Sequence, residues 1–415
     1  MNMTGAGRSG GTDTAAIGRI AAAASAVWRD GGPAAVTFGA VAAEARLAKS
    51  LVSHHFPTRE QLLEQAAAGL VQDMERQLGR LARQLERLPA GLACPVETAA
   101  LIVEALATSP SAHGAGLLEF ASLGLDAPLY RDVFLRLVGK IQDMLPGDPA
   151  HPQRTYLAAF VLGELLGHCP RHGGGPGLAG LRRRIGWLLD DAPSDEQVWL
   201  ARLISAIAAS GAQGALQDAP AEPPPGAAQD SPGNAPAPPA SRTGALRGSA
   251  TRRAAIIGAT LDMLAESDAA DITHRSIAER AGLPLAATTY HFASKLAILE
   301  AAYQQIIDAA LAEAQRIADE GARQGGAAFE RVLVGMLNFY AGRGRRNAIA
   351  QFHLALFACR TETLSEFASK AYDAEVELLR AQAFDSGLPM TRNLAQAVTS
   401  LVGGVLLLRI LGAAP

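Results

Sequence analysis

Apolar residues recur at helical spacing along most of this chain. In the segment 252–266 they stand at positions 256, 257, 261 and 264, which form one stripe on a helix. Similar stripes predict further helices at 95–108, 115–124, 128–144, 153–169, 177–190 and 195–210, and at 327–342, 346–358, 361–386 and 390–412. No segment shows the convincing alternation of a half-buried strand. The pattern therefore predicts an all-α protein.

Capping residues divide one part of the second half into short helices. Thr273 precedes a predicted helix at 274–281, as an N-cap residue does. Gly282 follows where the chain needs a left-handed backbone, and Pro284 stands at the first turn of the next helix. That helix ends near Tyr290, so the segment reads as helix, turn, helix.

The same pattern occurs earlier in the chain. Residues 36–66 align with residues 272–302 without a gap, at an offset of 236. We call these segments the N-terminal repeat and the C-terminal repeat. The matching pairs include Thr37 and Thr273, Ala42 and Ala278, Leu47 and Leu283, and His55–Phe56 and His291–Phe292. A match of this length without an insertion indicates duplication of a whole unit.

A stretch rich in Pro, Ala, Gly and Ser separates the two copies. It carries almost no large apolar side chain to bury, so it is predicted to be a linker. Each half then consists of a helix-turn-helix head and a helical bundle body. The predicted bounds are 13–66 for the first head, 67–211 for the first body, 212–248 for the linker, 249–303 for the second head and 304–415 for the second body.

Composition narrows the class of protein. The 415 residues are 49% hydrophobic, which is enough for packed cores, and a net charge of −3 gives no global attraction to nucleic acid. Three widely spaced cysteines offer no disulfide framework and fit a reducing compartment. The most apolar run, Leu401–Leu408, is too short to span a bilayer. These features predict a cytoplasmic protein without a membrane partner.

The sequence shows none of the common catalytic or phosphate-binding motifs. It has no glycine-rich phosphate loop with a lysine, no nucleophile elbow and no paired carboxylates. His168, Cys169 and His172 stand in GHCPRH without a second ligand cluster, which favours a surface loop over a metal site. No enzyme activity, cofactor or metal is therefore predicted.

The C-terminal repeat resembles the TetR family of bacterial transcriptional regulators. The resemblance rests on the spacing IA–x2–AGL–x6–YHF–x–SK–x2–IL, which runs from Ile277 to Leu299. It implies a three-helix DNA-binding head followed by a body that dimerises and holds a small-molecule effector. Two such units in one chain imply a tandem, ligand-responsive regulator of transcription, and a repressor in particular.

The second helix of a helix-turn-helix enters the major groove of double-stranded DNA. Small side chains allow close approach, and hydroxyl groups can bond to phosphates or bases. By resemblance, Tyr290, His291 and Lys295 contact the DNA backbone and Thr273 faces a phosphate. The remaining candidates in the C-terminal repeat are Leu285, Ala286, Ala287, Thr288 and Thr289.

The N-terminal repeat departs from the pattern. Arg46 replaces the turn glycine, where a left-handed backbone costs about 1 kcal/mol. Lys49, Ser50 and Ser53 make its recognition helix more basic and polar than that of the C-terminal repeat. The predicted DNA contacts of this repeat are Thr37, Lys49, Ser50, Ser53, His54, His55 and Arg59. Two interpretations follow: this head binds DNA with altered specificity, or it is kept only for its architecture.

Two features of the bodies bear on ligand and assembly. An aromatic cluster with one histidine consists of Phe339, Tyr340, Phe352, His353 and Phe357. It either lines an effector pocket, as the resemblance implies, or packs in the core. The helix at 390–412 is apolar on nearly all sides, so it is either a central core helix or an interface with the other half or a second copy.

Two assemblies are compatible with this organisation. In one, the halves form a single-chain pseudo-dimer that reads an asymmetric operator, because the two recognition helices differ. In the other, two chains form a homodimer with up to four heads. The alternative function is a degenerate TetR-like module that acts through protein–protein contacts without operator recognition.

Overall fold

A computed structural model describes most of the chain. The described residues are 9–89, 94–109, 111–146, 152–169, 178–189, 195–214, 242–266, 272–323 and 329–413. Every regular element within these ranges is an α-helix, so the all-α prediction is confirmed for this part of the protein.

The helices of the first half are α1 (Ser9–Ala35), α2 (Phe38–Ala45), α3 (Lys49–His55), α4 (Arg59–Leu85), α5 (Pro95–Ala107), α6 (His113–Leu123), α7 (Pro128–Met144), α8 (Pro152–His168), α9 (Leu178–Leu189) and α10 (Asp195–Gly214). The helices of the second half are α11 (Arg242–Glu266), α12 (His274–Ala281), α13 (Leu285–His291), α14 (Lys295–Arg323), α15 (Phe329–Ala341), α16 (Arg345–Ala358), α17 (Glu362–Asp385) and α18 (Arg392–Ile410).

The start of α11 differs from the sequence-based expectation. The helix begins at Arg242, inside the predicted linker. The last proline of that stretch is Pro239, so nothing after it interrupts the helical hydrogen bonds. Residues 215–241 of the predicted linker lie outside the described residues.

Contacts divide the chain into two compact units that cross the predicted domain bounds. Unit 1 comprises residues 1–197 and 355–415, and unit 2 comprises residues 198–354. Helices α17 and α18 thus belong to the unit that contains the N-terminal repeat. The predicted bounds describe the duplication in the sequence rather than the grouping of the helices by contact.

In unit 1, α1 packs against α2 and α4, and α18 packs along α8. The largest buried side chains include Trp28, Phe120 and Phe134, and the ring centroids of Trp28 and Phe120 lie 5.8 Å apart. Helix α1 bends at Gly32, whose φ is +78°, directly before Pro33. The bend lets the chain turn into α2 while Trp28 stays in the core.

Helix α18 corresponds to the helix predicted at 390–412, which is apolar on nearly all sides. It has 19 residues and is long and apolar enough to cross a membrane by length and composition alone, and 56% of its most apolar window is buried inside the protein. The short run Leu401–Leu408 therefore belongs to a longer helix than the run itself suggests. Leu394, Val398, Leu401 and Val405 are fully buried, so its apolar surface packs within the chain.

In unit 2, α11 packs against α12 and α14, and α14 packs against α15. Ile256, Leu264 and Ile277 are fully buried there. Trp199 of α10 stacks on Phe329 of α15, with ring centroids 5.7 Å apart. The helix-turn-helix segment of the C-terminal repeat is thereby held by the long helices on either side of it.

Candidate nucleic-acid interface

Both repeats form the same turn between their two short helices. In the N-terminal repeat Arg46 has a φ of +52°, and the amide of Leu47 donates to the carbonyl of Ala42 at 2.9 Å. In the C-terminal repeat Gly282 has a φ of +64°, and Leu283 donates to Ala278 at 2.9 Å. The aligned residues thus make the same helix-ending hydrogen bond. Arg46 adopts the left-handed conformation of the turn glycine that it replaces.

Arg19 supports the turn at Arg46 and was not singled out by sequence reasoning. Its Nη2 donates to the carbonyl of Ala45 at 2.6 Å, at the end of α2. At the same offset of 236, the aligned position is Ala255, which precedes the C-terminal repeat, whose turn has a glycine. Comparing the helices that precede the repeats could have revealed this difference.

Threonine caps begin the first short helix of each repeat. Thr37 Oγ1 accepts from the amide of Ala40 at 3.2 Å. Thr273 Oγ1 accepts from the amide of Ser276 at 3.1 Å, and the Ser276 hydroxyl lies 2.9 Å from the Thr273 amide. Both threonines are exposed, so each marks an accessible helix N-terminus. Pro284 differs slightly from expectation, because it caps α13 rather than standing in its first turn.

The second short helix of each repeat exposes the same four positions. On α3 these are Lys49, Ser50, Ser53 and His54. On α13 they are Leu285, Ala286, Thr289 and Tyr290, and Tyr290 is 83% exposed. Each set follows the spacing i, i+1, i+4 and i+5, which forms one face of a helix. The two faces differ in chemistry, since only the α3 face carries a lysine.

The predicted contact of Thr288 with DNA is wrong. Its side chain is fully buried, and its hydroxyl donates to the carbonyl of Leu285 at 2.8 Å. The aligned residue Val52 is fully buried as well. An apolar residue at the aligned position was the signal that this position faces the head rather than the DNA. Ala287 beside it is half-buried.

Arg59 makes structural contacts that the sequence did not predict. Its Nε donates to the carbonyl of Val36 at 3.1 Å, and its Nη2 donates to that of Pro33 at 3.0 Å. These carbonyls lie where the chain leaves α1, so Arg59 fastens the start of α4 to that end. Arg59 is exposed, and its contact with DNA stays a prediction.

The remaining predicted residues flank these faces. His55 and His291 are half-buried, with their rings 5.2 Å from His54 and 5.1 Å from Tyr290. Lys295 begins α14 and is half-buried. His55 and His291 are therefore less accessible than the exposed residues of the two faces.

The residues of the predicted effector cluster differ in burial and in their contacts. His353 is buried, and its Nδ1 donates to the carbonyl of Leu264 at 2.6 Å, which fastens α16 to α11. Phe352 is buried, whereas Phe339 and Tyr340 are half-buried. The ring centroids of Phe339 and Tyr340 lie 5.2 Å apart. These contacts favour core packing. Phe357 is half-buried and belongs to unit 1.

An open groove of about 450 Å³ lies elsewhere, in unit 1. Helices α4, α5 and α7 form its walls. Its charged lining consists of Glu75, Glu86, Asp143 and Lys140, and Leu78, Ala82 and Met144 supply apolar surface. Among the described residues, no group of three or more His, Cys, Asp or Glu side chains is arranged to hold a metal.

A capped helix, a left-handed turn and a second helix with one exposed face define a helix-turn-helix head, which belongs to DNA-binding proteins. Residues 20–66 match the family described as bacterial regulatory proteins, tetR family. No curated protein that was searched matches the chain. The family match covers α2, α3 and parts of α1 and α4, and it supports a DNA-binding regulator of transcription. The match therefore falls on the N-terminal repeat, despite its Arg46, and the resemblance of the C-terminal repeat stays a prediction.

Proposed function

We propose that this protein is a tandem TetR-like repressor in which both repeats read DNA and the two halves act as a single-chain pseudo-dimer. One observation carries the proposal: α3 and α13 expose aligned positions, and they bury aligned positions, Val52 and Thr288. This shared division places a face that can read DNA at the same position on the second helix of both repeats.

The two exposed faces call for unlike half-sites. Lys49, Ser50 and Ser53 offer a cation and hydroxyl groups, which suit phosphates and base acceptors. Leu285 and Ala286 offer apolar contact, which suits thymine methyl groups, and Tyr290 can donate to a phosphate. The operator of this regulator is therefore asymmetric.

Pairing inside the chain is supported by α8 and α18. They come from different halves of the sequence, yet they pack along each other in unit 1. A covalent pair of halves has a high effective concentration, which favours a pseudo-dimer of one chain over association of two.

The effector response is assigned to the groove of unit 1. Helix α4 has 27 residues, so it runs about 40 Å from Arg59 in the head to the groove wall. A ligand that binds better to one position of α4 shifts the equilibrium of the attached head. The excess of carboxylates in the groove favours a cationic, partly apolar small molecule. The effector meets the protein in the cytoplasm.

Selection of duplexes from a random-sequence pool with the full chain tests the DNA-reading function. We expect one enriched asymmetric site with two unlike halves. Lys49→Ala and Tyr290→Ala should each alter the preference in a different half. Lys370→Ala removes an exposed lysine from α17 and serves as the control. If no duplex is enriched, or if Tyr290→Ala leaves both halves unchanged, the protein-contact alternative gains the support that this proposal loses.

A further inference from the structure

Helices α8 and α18 touch through their backbones. A Cβ atom added at Gly163 would lie 1.7 Å from the carbonyl oxygen of Ser400, and one added at Gly404 would lie 1.7 Å from that of Ala159. Residue numbers rise along one helix and fall along the other at these contacts, so the crossing is antiparallel. Only glycine permits so close an approach.

The crossing lies at equivalent positions of the duplicated sequence. The Ser400 hydroxyl donates to Glu164 Oε1 at 2.8 Å, and the two residues are 236 positions apart. This is the offset that aligns the two repeats. Each of the two residues thus contacts its own counterpart, as residues beside a two-fold axis do.

The crossing encloses a charged group. Glu164 is fully buried, and its carboxylate accepts from Arg184 Nε at 2.9 Å and from Arg184 Nη2 at 2.7 Å. His168 Nε2 lies 3.0 Å from the same carboxylate. Burial acts to raise the pKa of Glu164, but the hydrogen bonds from His168 and Arg184 outweigh it and hold this pKa below its ordinary value.

A symmetric pairing of α8 with α8 of a second copy would place a different residue opposite Glu164. If α8 crossed the α8 of a second copy in the same way, two Glu164 carboxylates would face each other. Ionised carboxylates only accept hydrogen bonds, so no donor would lie between them. Two like charges in one buried site disfavour each other's ionised form. In the pairing of α8 with α18, the Ser400 hydroxyl supplies the donor.

We propose that Glu164 and Ser400 determine partner choice: the crossing accepts the unlike helix of the same chain and rejects α8 of a second copy. The inference rests on the proposed pairing of the two halves within one chain. It adds a cause for that pairing: the two copies of the duplicated unit diverged at this position. One copy has the carboxylate of Glu164 and the other has the hydroxyl of Ser400.

The mass of the full chain in solution, measured over a wide range of concentration, tests partner choice. We expect the parent protein to keep the single-chain mass of 43.1 kDa throughout. Glu164→Gln gives the position both a donor and an acceptor, so two copies can exchange helices and the mass should rise towards twice that value. If the parent protein itself doubles in mass, the proposed single-chain pairing fails. If the parent stays single and Glu164→Gln stays single as well, only the assignment of partner choice is overturned.

A second variant tests the same position without a second copy. Ser400→Glu places two carboxylates at the crossing, and we expect amide exchange in α8 and α18 to accelerate at least about tenfold. Adding Glu164→Gln to Ser400→Glu should restore slow exchange, because one donor is present again. Ser386→Glu, at an exposed position after α17, is the matched control. Equal exchange rates in Ser400→Glu and Ser386→Glu would overturn the inference.

Discussion

Half-buried Arg360 and buried Glu119 form an ion pair between residues that are 241 positions apart in the chain. Arg360 Nε donates to the Glu119 carboxylate at 2.7 Å, and Arg360 Nη1 donates to the carbonyl of Arg29 at 2.8 Å. Trp28 Nε1 donates to the same carboxylate at 2.7 Å. A residue from the second half of the sequence thereby holds α1 of the matched head against α6 of the first body.

Replacing Arg360 should therefore loosen this head. Arg360→Ala leaves Glu119 buried without its cation, which should lower the free energy of unfolding by about 3 kcal/mol. Chemical denaturation measures the change. Arg392→Ala removes an arginine that pairs with Asp373 and Glu377 at the surface, and it should cost less than about 1 kcal/mol. Equal losses in the two variants would contradict a special role for Arg360.

The turn of the N-terminal repeat carries conformational strain that glycine would relieve. Arg46→Gly should stabilise unit 1 by about 0.5–1 kcal/mol, because arginine disfavours the left-handed region that it occupies here. The reciprocal change is Gly282→Arg. No atom lies within 4 Å of a Cβ at Gly282, so its cost is conformational only and should be similar in size. Thermal unfolding of both variants gives the comparison, and a stabilising Gly282→Arg would contradict the argument.

Local features of the sequence predicted the local features of the fold. Helix α7 has the predicted bounds, and Gly282 ends α12 in the expected left-handed conformation. These outcomes depend on residues close together in sequence, where apolar spacing and caps act directly. The residues of α13 were all predicted as DNA contacts, and the helical spacing then leaves four of them on one exposed face: Leu285, Ala286, Thr289 and Tyr290.

Contacts between distant residues could not be predicted in the same way. The apolar sequence of α18 showed that it must be covered, but it did not show that α8 covers it. The bonds of Arg59 and Arg360 depend on which carbonyl or carboxylate the folded chain brings near. Thr288 was misassigned because a threonine can satisfy its hydroxyl within its own helix and still be buried.

The backbone contact between α8 and α18 predicts a large difference between two glycine substitutions. Gly163→Ala drives a methyl group into the Ser400 carbonyl, so it should lower the free energy of unfolding by about 3 kcal/mol. Gly139→Ala in α7 meets no atom within 4 Å and should stabilise by up to about 1 kcal/mol, because alanine favours a helix. Chemical denaturation of the two variants should give opposite signs. A Gly163→Ala variant as stable as the parent would show that the helices are farther apart.

Buried His113 should make stability depend on pH. Burial lowers the pKa of His113 below the ordinary 6.5. The charges of Arg29 and Arg80 lower this pKa further, and the charge of Asp73 partly opposes the change. The folded state therefore binds this proton less readily than the unfolded state. The contribution of His113 to stability is complete above pH 6.5 and is lost as the pH falls below it.

His113→Gln removes this titration and keeps an amide near the Ser109 hydroxyl, which lies 2.6 Å from His113 Nδ1. The free energy of unfolding of the parent relative to this variant should fall as the pH is lowered below 6.5. Chemical denaturation at a series of pH values measures the difference. His54→Gln removes an exposed histidine as a control. A constant difference between parent and His113→Gln at all pH values would contradict the prediction.

The unlike faces of α3 and α13 predict unlike salt dependence in their DNA contacts. Lys49 is exposed on α3, and a lysine at a phosphate releases about one counterion from DNA. Lys49→Ala should therefore reduce the slope of log affinity against log salt by about 0.9. Tyr290→Ala should weaken binding and leave the slope unchanged, because tyrosine carries no charge. Titrations of the selected duplex at several salt concentrations measure both quantities, with Lys370→Ala as the charge-matched control. A slope that falls equally in Lys49→Ala and Lys370→Ala would mean that the lysine acts through the overall charge of the protein and not through a contact of α3 with phosphate.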